Sequence, residues 1–502
     1  MIIRIMIMLL CMVIPANAAT SSATAMKPGE FLVLCYHAVP LKPAPGDNYS
    51  ISQKMFVEQM EYLRTHGYNP VSFKQILDAR EGVKALPEKP VLLTFDDGYI
   101  SYHDFVVPVL EELGYPSVLA VVGNFVGYPP KELPEPIMRW EQIRAVSKKK
   151  LVEVVSHSHD LHRAIQYTSQ GNIAAAVNIL AYDPVSNVYE TEADYRSRLN
   201  LDFERQDEIF KKELGFSPDV MVWPYGAFNE VSLDIAKQHG IFSTFTLQAG
   251  YAHINRLDRL NRVLVENTKI QEFIRNVRNP QGEQYPVRAV QIDLDLIVNP
   301  DDPAETDVNL GKLIDRLVAM KVNTVILQAF ADPDGDGDVD AVYFPNRVLP
   351  VRADIFGWAA HQIKIRDMAV YAWMPTMSIV LPDKAQNERL RVREFKGGES
   401  EPSSSWYGRL SPFSPRVADI MGTLYEDLAS HAQVAGILFQ DDAYLNDFED
   451  FHPDAVARYD KQFGGAVKSL AGEESDIAKE WSRYKTQVII DFTDVLKGRV
   501  QK

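Results

Sequence analysis

The sequence predicts an α/β protein built as two successive β/α series. Short apolar runs alternate with amphipathic ones from about residue 30 onward, the pattern of strands joined by helices. The alternation breaks once, in the polar, Pro- and Gly-containing stretch RNPQGEQYP at 278–286, which reads as a linker. At 502 residues the chain also exceeds what one ordinary core accommodates. Two domains follow, 30–278 and 287–502, after a leader. Hydrophobic residues at 46% and charged residues at 24% are the proportions of a folded chain.

The leader comes first. MIIRIMIMLLCMVIPANAA carries a basic residue, an apolar run and the small-residue site Ala16-Asn17-Ala18, so residues 1–18 read as a secretory signal cleaved near Ala18. Lipidation at Cys11 is the competing reading, disfavoured by the bulky Leu10 before it. No later segment is apolar over enough length to span a bilayer. Cys35 is then the one cysteine of the mature chain, so no internal disulfide forms. It lies in the apolar run FLVLCYH, where a buried structural thiol is expected before a nucleophile.

In the first series the expected strands are 31–36, 90–95, 117–122, 151–156 and 220–224, each an apolar run bounded by polar residues. A helix over 53–66 is marked by Phe56, Met60 and Leu63 at helical spacing with Gly67 as its stop. A second runs from near Thr191 to Gly215. In the second series strands are expected at 288–296, 324–330, 369–375 and 436–440, and helices at 309–320, 415–431 and 474–497. Residues 288–502 hold four strand–helix units and fall short of the roughly 250 residues of a full eight-unit barrel.

Functional groups of β/α folds gather where strands end. Asp96 and Asp97 follow one strand, His157 to His162 (HSHDLH) another, Pro224-Tyr225-Gly226 a third, and His37 follows the first. Two adjacent carboxylates are costly unless a cation compensates them. One carboxylate and two imidazoles would give a divalent ion three ligands and leave a place for water, as catalytic sites do. His157 and His162 are five apart and converge only through a loop. The spare carboxylate is placed to act as general base, and Gly98 lets the chain turn beneath both. The Tyr225 backbone N–H is a candidate oxyanion donor and His37 a candidate acid. No arginine or aspartate in the sequence stands out as the support of His37.

TFDDG, the histidine pair and WPYG resemble the motifs of the polysaccharide deacetylase (NodB-homology) superfamily, which removes acetyl groups from glycans. That resemblance implies a distorted (β/α) barrel, with Asp96 as base and Asp97, His157 and His162 as ligands of one divalent ion, zinc first and nickel, cobalt or iron after it. The histidine spacing and the early CYHAV histidine depart from most of the superfamily. Both resemble one branch, the circularly permuted N-deacetylases of exported poly-β-1,6-N-acetylglucosamine in biofilm-forming Gram-negative bacteria. QAFADPDGDGDVDAVYFPNRVLP, YAWMP, RLSPF and GILFQDDAYLNDFED are similar to the glycoside-hydrolase-like (β/α)8-type barrel of that branch, here complete or cut short. The branch implies an N-acetylglucosamine polymer as substrate, outer-membrane export machinery as partner, and a periplasmic location associated with the outer membrane. Other readings remain: a carbohydrate-binding export scaffold with a weak site, or a deacetylase of peptidoglycan or chitin oligomers.

In the second series Asp441 and Asp442 are candidate sugar-binding carboxylates, although adjacent aspartates cannot flank a glycosidic bond from both sides. Trp373 and Trp406 offer stacking faces, with packing the more ordinary role for Trp373. DPDGDGDVD at 332–340 imitates a calcium loop but has Tyr343 where such a loop needs glutamate. A formal net charge of −16 without a large basic cluster excludes nucleic acid as a partner and suits a cationic, partly deacetylated polymer.

Overall fold

The computed structural model describes residues 26–282, 286–396, 398–464 and 475–501. The expected signal, Cys11 and the cleavage site lie outside the described residues.

The first half is organised around parallel strands β1 (Glu30–Tyr36), β2 (Pro90–Phe95), β3 (Ser117–Val121), β4 (Val152–Ser156), β5 (Val220–Val222), β6 (Ser243–Phe245) and β7 (Val263–Leu264). Their order across the sheet is β6-β5-β4-β3-β2-β1, with β7 on the far side of β1. A parallel bridge from Phe245 to Leu260 and the pairing of Leu34 with Val263 bring the two ends of the sheet together through Leu260–Leu264. The result is a distorted barrel. β5 ends at Val222, earlier than the expected 224, because Pro224 has no N–H to offer a ladder.

Strand periodicity decides what faces the inside. Phe31, Val33, Leu92, Val118, Ala120, Val155, Val220, Val222, Phe245 and Leu260 form one apolar cluster within the sheet. Leu32, Leu34, Tyr36, Val91, Leu93 and Phe95 belong to another, packed against Phe56, Met60 and Leu63 of helix α1 (Gln53–Thr65). Continuing the inner period beyond Phe31 and Val33 reaches Cys35 and His37, and beyond Leu92 it reaches Thr94 and Asp96. The Ser52 side chain caps α1 through Met55 N–H at 3.2 Å, an interaction typically worth about 1 kcal/mol. Helix α2 (Glu192–Leu214) starts at Thr191 and stops at Gly215, which is left-handed at φ 84°, as the sequence predicts.

The second half carries a four-stranded parallel sheet, in the order β8 (Ala289–Ile292), β9 (Thr324–Gln328), β10 (Ala369–Met374) and β11 (Gly436–Phe439). This is an open half-barrel. Its core joins the strands to helices α3 (Pro303–Ala319), α4 (Phe356–Lys364), α5 (Pro415–His431) and α6 (Asp476–Val500). Two expectations are corrected. The strand expected over 288–296 ends at Ile292, because the Asp293 side chain accepts Asp295 N–H at 3.1 Å and folds Leu294–Leu296 into a 3-10 turn. Helix α3 begins at Pro303, not 309, with Asp302 accepting Ala304 and Glu305 N–H.

Two hairpins, Ala164–Gln166 with Ile173–Ala175 and Tyr182–Asp183 with Val188–Tyr189, follow His162 and reach across to the second half. Ser169 Oγ and Tyr189 Oη donate to Asp354 Oδ2 at 3.1 and 2.6 Å, and Tyr167 Oη lies 3.3 Å from His361 Nδ1. Among the described residues no helix is long and apolar enough to cross a membrane.

Candidate active site

The first element delivers His37 immediately after β1, half-buried, its ring 5.9 Å from Tyr49. β2 delivers Asp96 and Asp97, 3% and 4% exposed. Asp97 is left-handed at φ 73° and Gly98 follows at φ 88°, so the chain reverses under the pair, and both carboxylates approach His157 Nε2. The loop after β4 delivers His157 and His162, with Ser158 at φ 70° between them. Tyr225, after β5, is left-handed too, at φ 58°. Strained non-glycine backbone costs about 1–3 kcal/mol per residue and persists where surroundings over-determine it. Gly226 cannot be replaced cheaply, since a Cβ there would lie 2.6 Å from Leu247 N.

Asp97 Oδ1 lies 3.4 Å from His157 Nε2 and 3.2 Å from His162 Nε2. It is buried with no hydrogen-bond partner, an expensive condition for a carboxylate oxygen. His157 Nδ1 sits 2.7 Å from the Val222 carbonyl, which fixes that nitrogen as the donor and points Nε2 at Asp97. Burial pulls both imidazoles toward the neutral form. Asp96 and Asp97 overcome that at His157, which is raised, and do not at His162, which stays lowered. Burial also pushes Asp97 up, but His162 and His157 hold it far below the usual carboxylate range. One oxygen and two nitrogens within 4.8 Å of one another suit a small divalent cation.

Asp96 stands beside this trio, its Oδ2 4.0 Å from His157 Nε2. Its partner is Arg262, a residue the sequence reasoning missed. Arg262 Nη1 donates to Asp96 Oδ1 at 2.8 Å and to Thr94 Oγ1 at 3.2 Å, and Nε donates to Thr246 O at 2.9 Å. Burial raises the Asp96 carboxyl, and Arg262 and His157 more than offset it, leaving Asp96 ionised below the ordinary range. Cys35, His37 and Asp96 also approach one another within 4.8 Å. His37 Nδ1 is buried without a hydrogen-bond partner. The Tyr225 ring stacks at a tilt 4.5 Å from His162 and is 51% exposed. Gly226 N–H and Ala227 N–H close the turn that holds it. All six residues expected from the first half therefore lie in one connected cluster.

The loop carrying the histidines is braced from α2. Asp202 accepts His159 N–H at 2.9 Å and Asp160 N–H at 2.6 Å, and burial raises its carboxyl to about 6.

The second half distributes its expected residues differently. Asp442 is fully buried and spends its oxygens on the N–H groups of Thr376, Met377 and Ser378 at 2.6 to 3.0 Å. It braces the loop after β10 and presents nothing to a sugar, which corrects the expectation for it. Asp441 is exposed and accepts Tyr407 Oη at 2.7 Å. Trp373 is half-buried edge-on to Phe330 at 5.0 Å, and Trp406 is exposed.

Residues 83–243 match the polysaccharide deacetylase family and residues 291–502 match hypothetical glycosyl hydrolase family 13. A poly-beta-1,6-N-acetyl-D-glucosamine N-deacetylase of Escherichia coli (strain K12) is 38% identical over 483 residues, 94% of this chain and 71% of the relative. The chain belongs to the poly-beta-1,6-N-acetyl-D-glucosamine N-deacetylase family. A member from Staphylococcus epidermidis is 23% identical over 265 residues, 49% of this deacetylase and 82% of its own length. The solved de-N-acetylase of Aggregatibacter actinomycetemcomitans is 33% identical, covers 49% of this chain and 99% of its own, and superposes with a TM-score of 0.46. The deacetylase is thus an α/β protein whose second half is glycoside-hydrolase-like.

Proposed function

We propose that this deacetylase is an exported, metal-dependent enzyme that hydrolyses acetamides of poly-β-1,6-N-acetylglucosamine, giving acetate and a glucosamine amine. The substrate is the one named for the relatives, and the observation that carries the reading is the unpartnered, buried Asp97 Oδ1 between two histidine Nε2 atoms, with an ionised Asp96 alongside.

In this proposal Asp97, His157 and His162 hold the ion. Their two nitrogens and one oxygen favour zinc first, with nickel, cobalt and iron as competitors. A divalent ion bound there supplies Lewis acidity toward the acetamide oxygen and makes water more acidic. Asp96, kept ionised by Arg262, takes the proton of the attacking water as the C–O bond forms at the carbonyl carbon. The Tyr225 N–H donates to the developing oxyanion. His37, within 4.8 Å of Asp96, donates a proton to the nitrogen as the C–N bond breaks. Asp96, Asp97 and His157 are buried, which strengthens the interactions among them.

The test is acetate release from N-acetylglucosamine oligomers by the purified protein, with metal content measured in parallel. Release that is lost on chelation, restored by a divalent ion and abolished by Asp96→Asn supports the proposal. Release indifferent to chelation overturns the metal assignment. No release from any glycan at full metal occupancy favours the rival, a carbohydrate-binding export scaffold with a silent site. Faster release from peptidoglycan or chitin oligomers would replace the substrate. Periplasmic location, outer-membrane association and interaction with export machinery belong to the same proposal and are tested by fractionation and co-purification. Retention of the deacetylated polymer by a chain of net charge −16 should weaken as salt rises.

A further inference from the structure

Asp96 is contacted on both carboxylate oxygens. Arg262 takes Asp96 Oδ1. The other oxygen, Oδ2, is the one that faces His157 Nε2, and Cys35 Sγ lies 3.4 Å from it. Cys35 is on the inner face of β1, directly opposite Thr94 in the β1–β2 register, and is wholly buried. Thr94 in turn accepts from Arg262 and donates to the Leu34 carbonyl at 3.0 Å.

We infer that Cys35 is a positioning residue for the deacetylation: its S–H donates to Asp96 Oδ2 and, with Arg262 on Oδ1, fixes the carboxylate plane toward the metal-ligand trio. This rests on the reading of Asp96 as general base.

A carboxylate has one soft torsion at its end, χ2, which is broad and roughly two-fold. A single bond to Oδ1 leaves rotation about that anchor open. A second donor on Oδ2 closes it and keeps a lone pair of Oδ2 aimed at the water to be deprotonated, where small misplacements are costly. The thiol suits the task because it is a weak donor. It orients Oδ2 without withdrawing it from proton transfer. Burial raises the thiol well above its ordinary value, with Arg262 opposing and the Asp96 charge adding to the rise. What separates this reading from a second metal site made of Cys35, His37 and Asp96 is that Arg262 already holds Asp96 Oδ1.

Two variants of nearly equal volume separate packing from positioning. Cys35→Ala removes the donor, and Cys35→Ser keeps one. Both leave the same small void at a wholly buried position, and the serine hydroxyl is the less welcome there. With Asp96 positioned by the thiol, Cys35→Ala loses roughly three- to tenfold in kcat, the scale of one weak bond to a charged group, with KM and metal content unchanged, while Cys35→Ser retains more kcat than Cys35→Ala. Equal or higher kcat for Cys35→Ala overturns the assignment, since packing alone ranks the variants that way.

An activity-independent readout accompanies it. In the full chain carrying Cys11→Ser, Cys35 is the sole thiol, and its S–H stretch falls in an infrared window free of other protein bands. The band should be shifted toward lower frequency relative to a free thiol and should relax toward it in Asp96→Asn. An identical band in both proteins, or no S–H band in the metal-loaded protein, overturns the bond. Absent deacetylation by the wild type would instead sink the proposed function and leave the infrared result to stand alone.

Discussion

Arg262→Met probes the buried charge pair on which the proposed chemistry depends. The side chains of Arg262 and Asp96 are 0% and 3% exposed, and the guanidinium makes three hydrogen bonds, to Asp96 Oδ1, Thr94 Oγ1 and Thr246 O. Methionine fills much of the volume and leaves a buried carboxylate without its cation. Breaking a buried pair from one side costs about 3–5 kcal/mol, a large share of the roughly 5–15 kcal/mol that holds a native protein together. The cost should depend on pH with a definite sign. In wild type the Asp96 carboxyl is lowered, so its contribution is complete above the unfolded value and is lost as pH falls through the folded one. Without Arg262, burial is the largest remaining influence and the folded value moves upward from its wild-type position. The penalty then grows as pH rises past about 4. Denaturant unfolding of wild type, Arg262→Met, Asp96→Asn and the double variant, at about pH 4.5 and pH 7, should show a cost that shrinks at the lower pH and is partly relieved by adding Asp96→Asn. A cost below about 1 kcal/mol at neutral pH, or one equal at both pH values and in both backgrounds, would refute the reasoning.

Asp202 has a folded carboxyl raised from 3.8 to about 6. Its stabilisation, measured as wild type minus Asp202→Asn, is therefore expected to be greatest below the unfolded value and to decline as pH rises through about 6; a difference that increases with pH contradicts this. Asp202→Ala strips His159 and Asp160 N–H of their acceptor, costing about 1–3 kcal/mol, and should speed hydrogen exchange across 157–163. Asp354→Ala removes the acceptor of Ser169 and Tyr189; proteolysis should then cleave the 164–189 hairpins faster, with the second half's own melting unchanged. Asp442→Ala orphans three backbone N–H groups and should lower the melting of the second half by several degrees, while acetate release from oligomers stays at the wild-type rate.

Local patterns disclosed much of this enzyme. β1 to β4 and helices α1 and α2 appeared within a residue or two, because each is a single apolar or amphipathic run with clear punctuation. The grouping of Asp97, His157 and His162 with Asp96 beside them was legible because charge at the end of a buried strand demands compensation. Less legible were β6 and β7, three and two residues long, too short for any periodicity. Arg262 was invisible for the same reason, since nothing local marks it as interior. Asp442 looked like a ligand by position, and only its three backbone partners show otherwise.

The sequence by itself determined which residues carry charge, which strands run through the core and which side chains alternate inward, since those follow from chemistry within a few residues. Tertiary structure alone decided who meets whom. Arg262 reaches Asp96 across 166 residues, and Cys35 reaches it across 61, because strands far apart in the chain are neighbours around one barrel. Whether a buried carboxylate is a base, a brace or a ligand depends on those neighbours, and they are fixed only when the sheet curls round and meets itself.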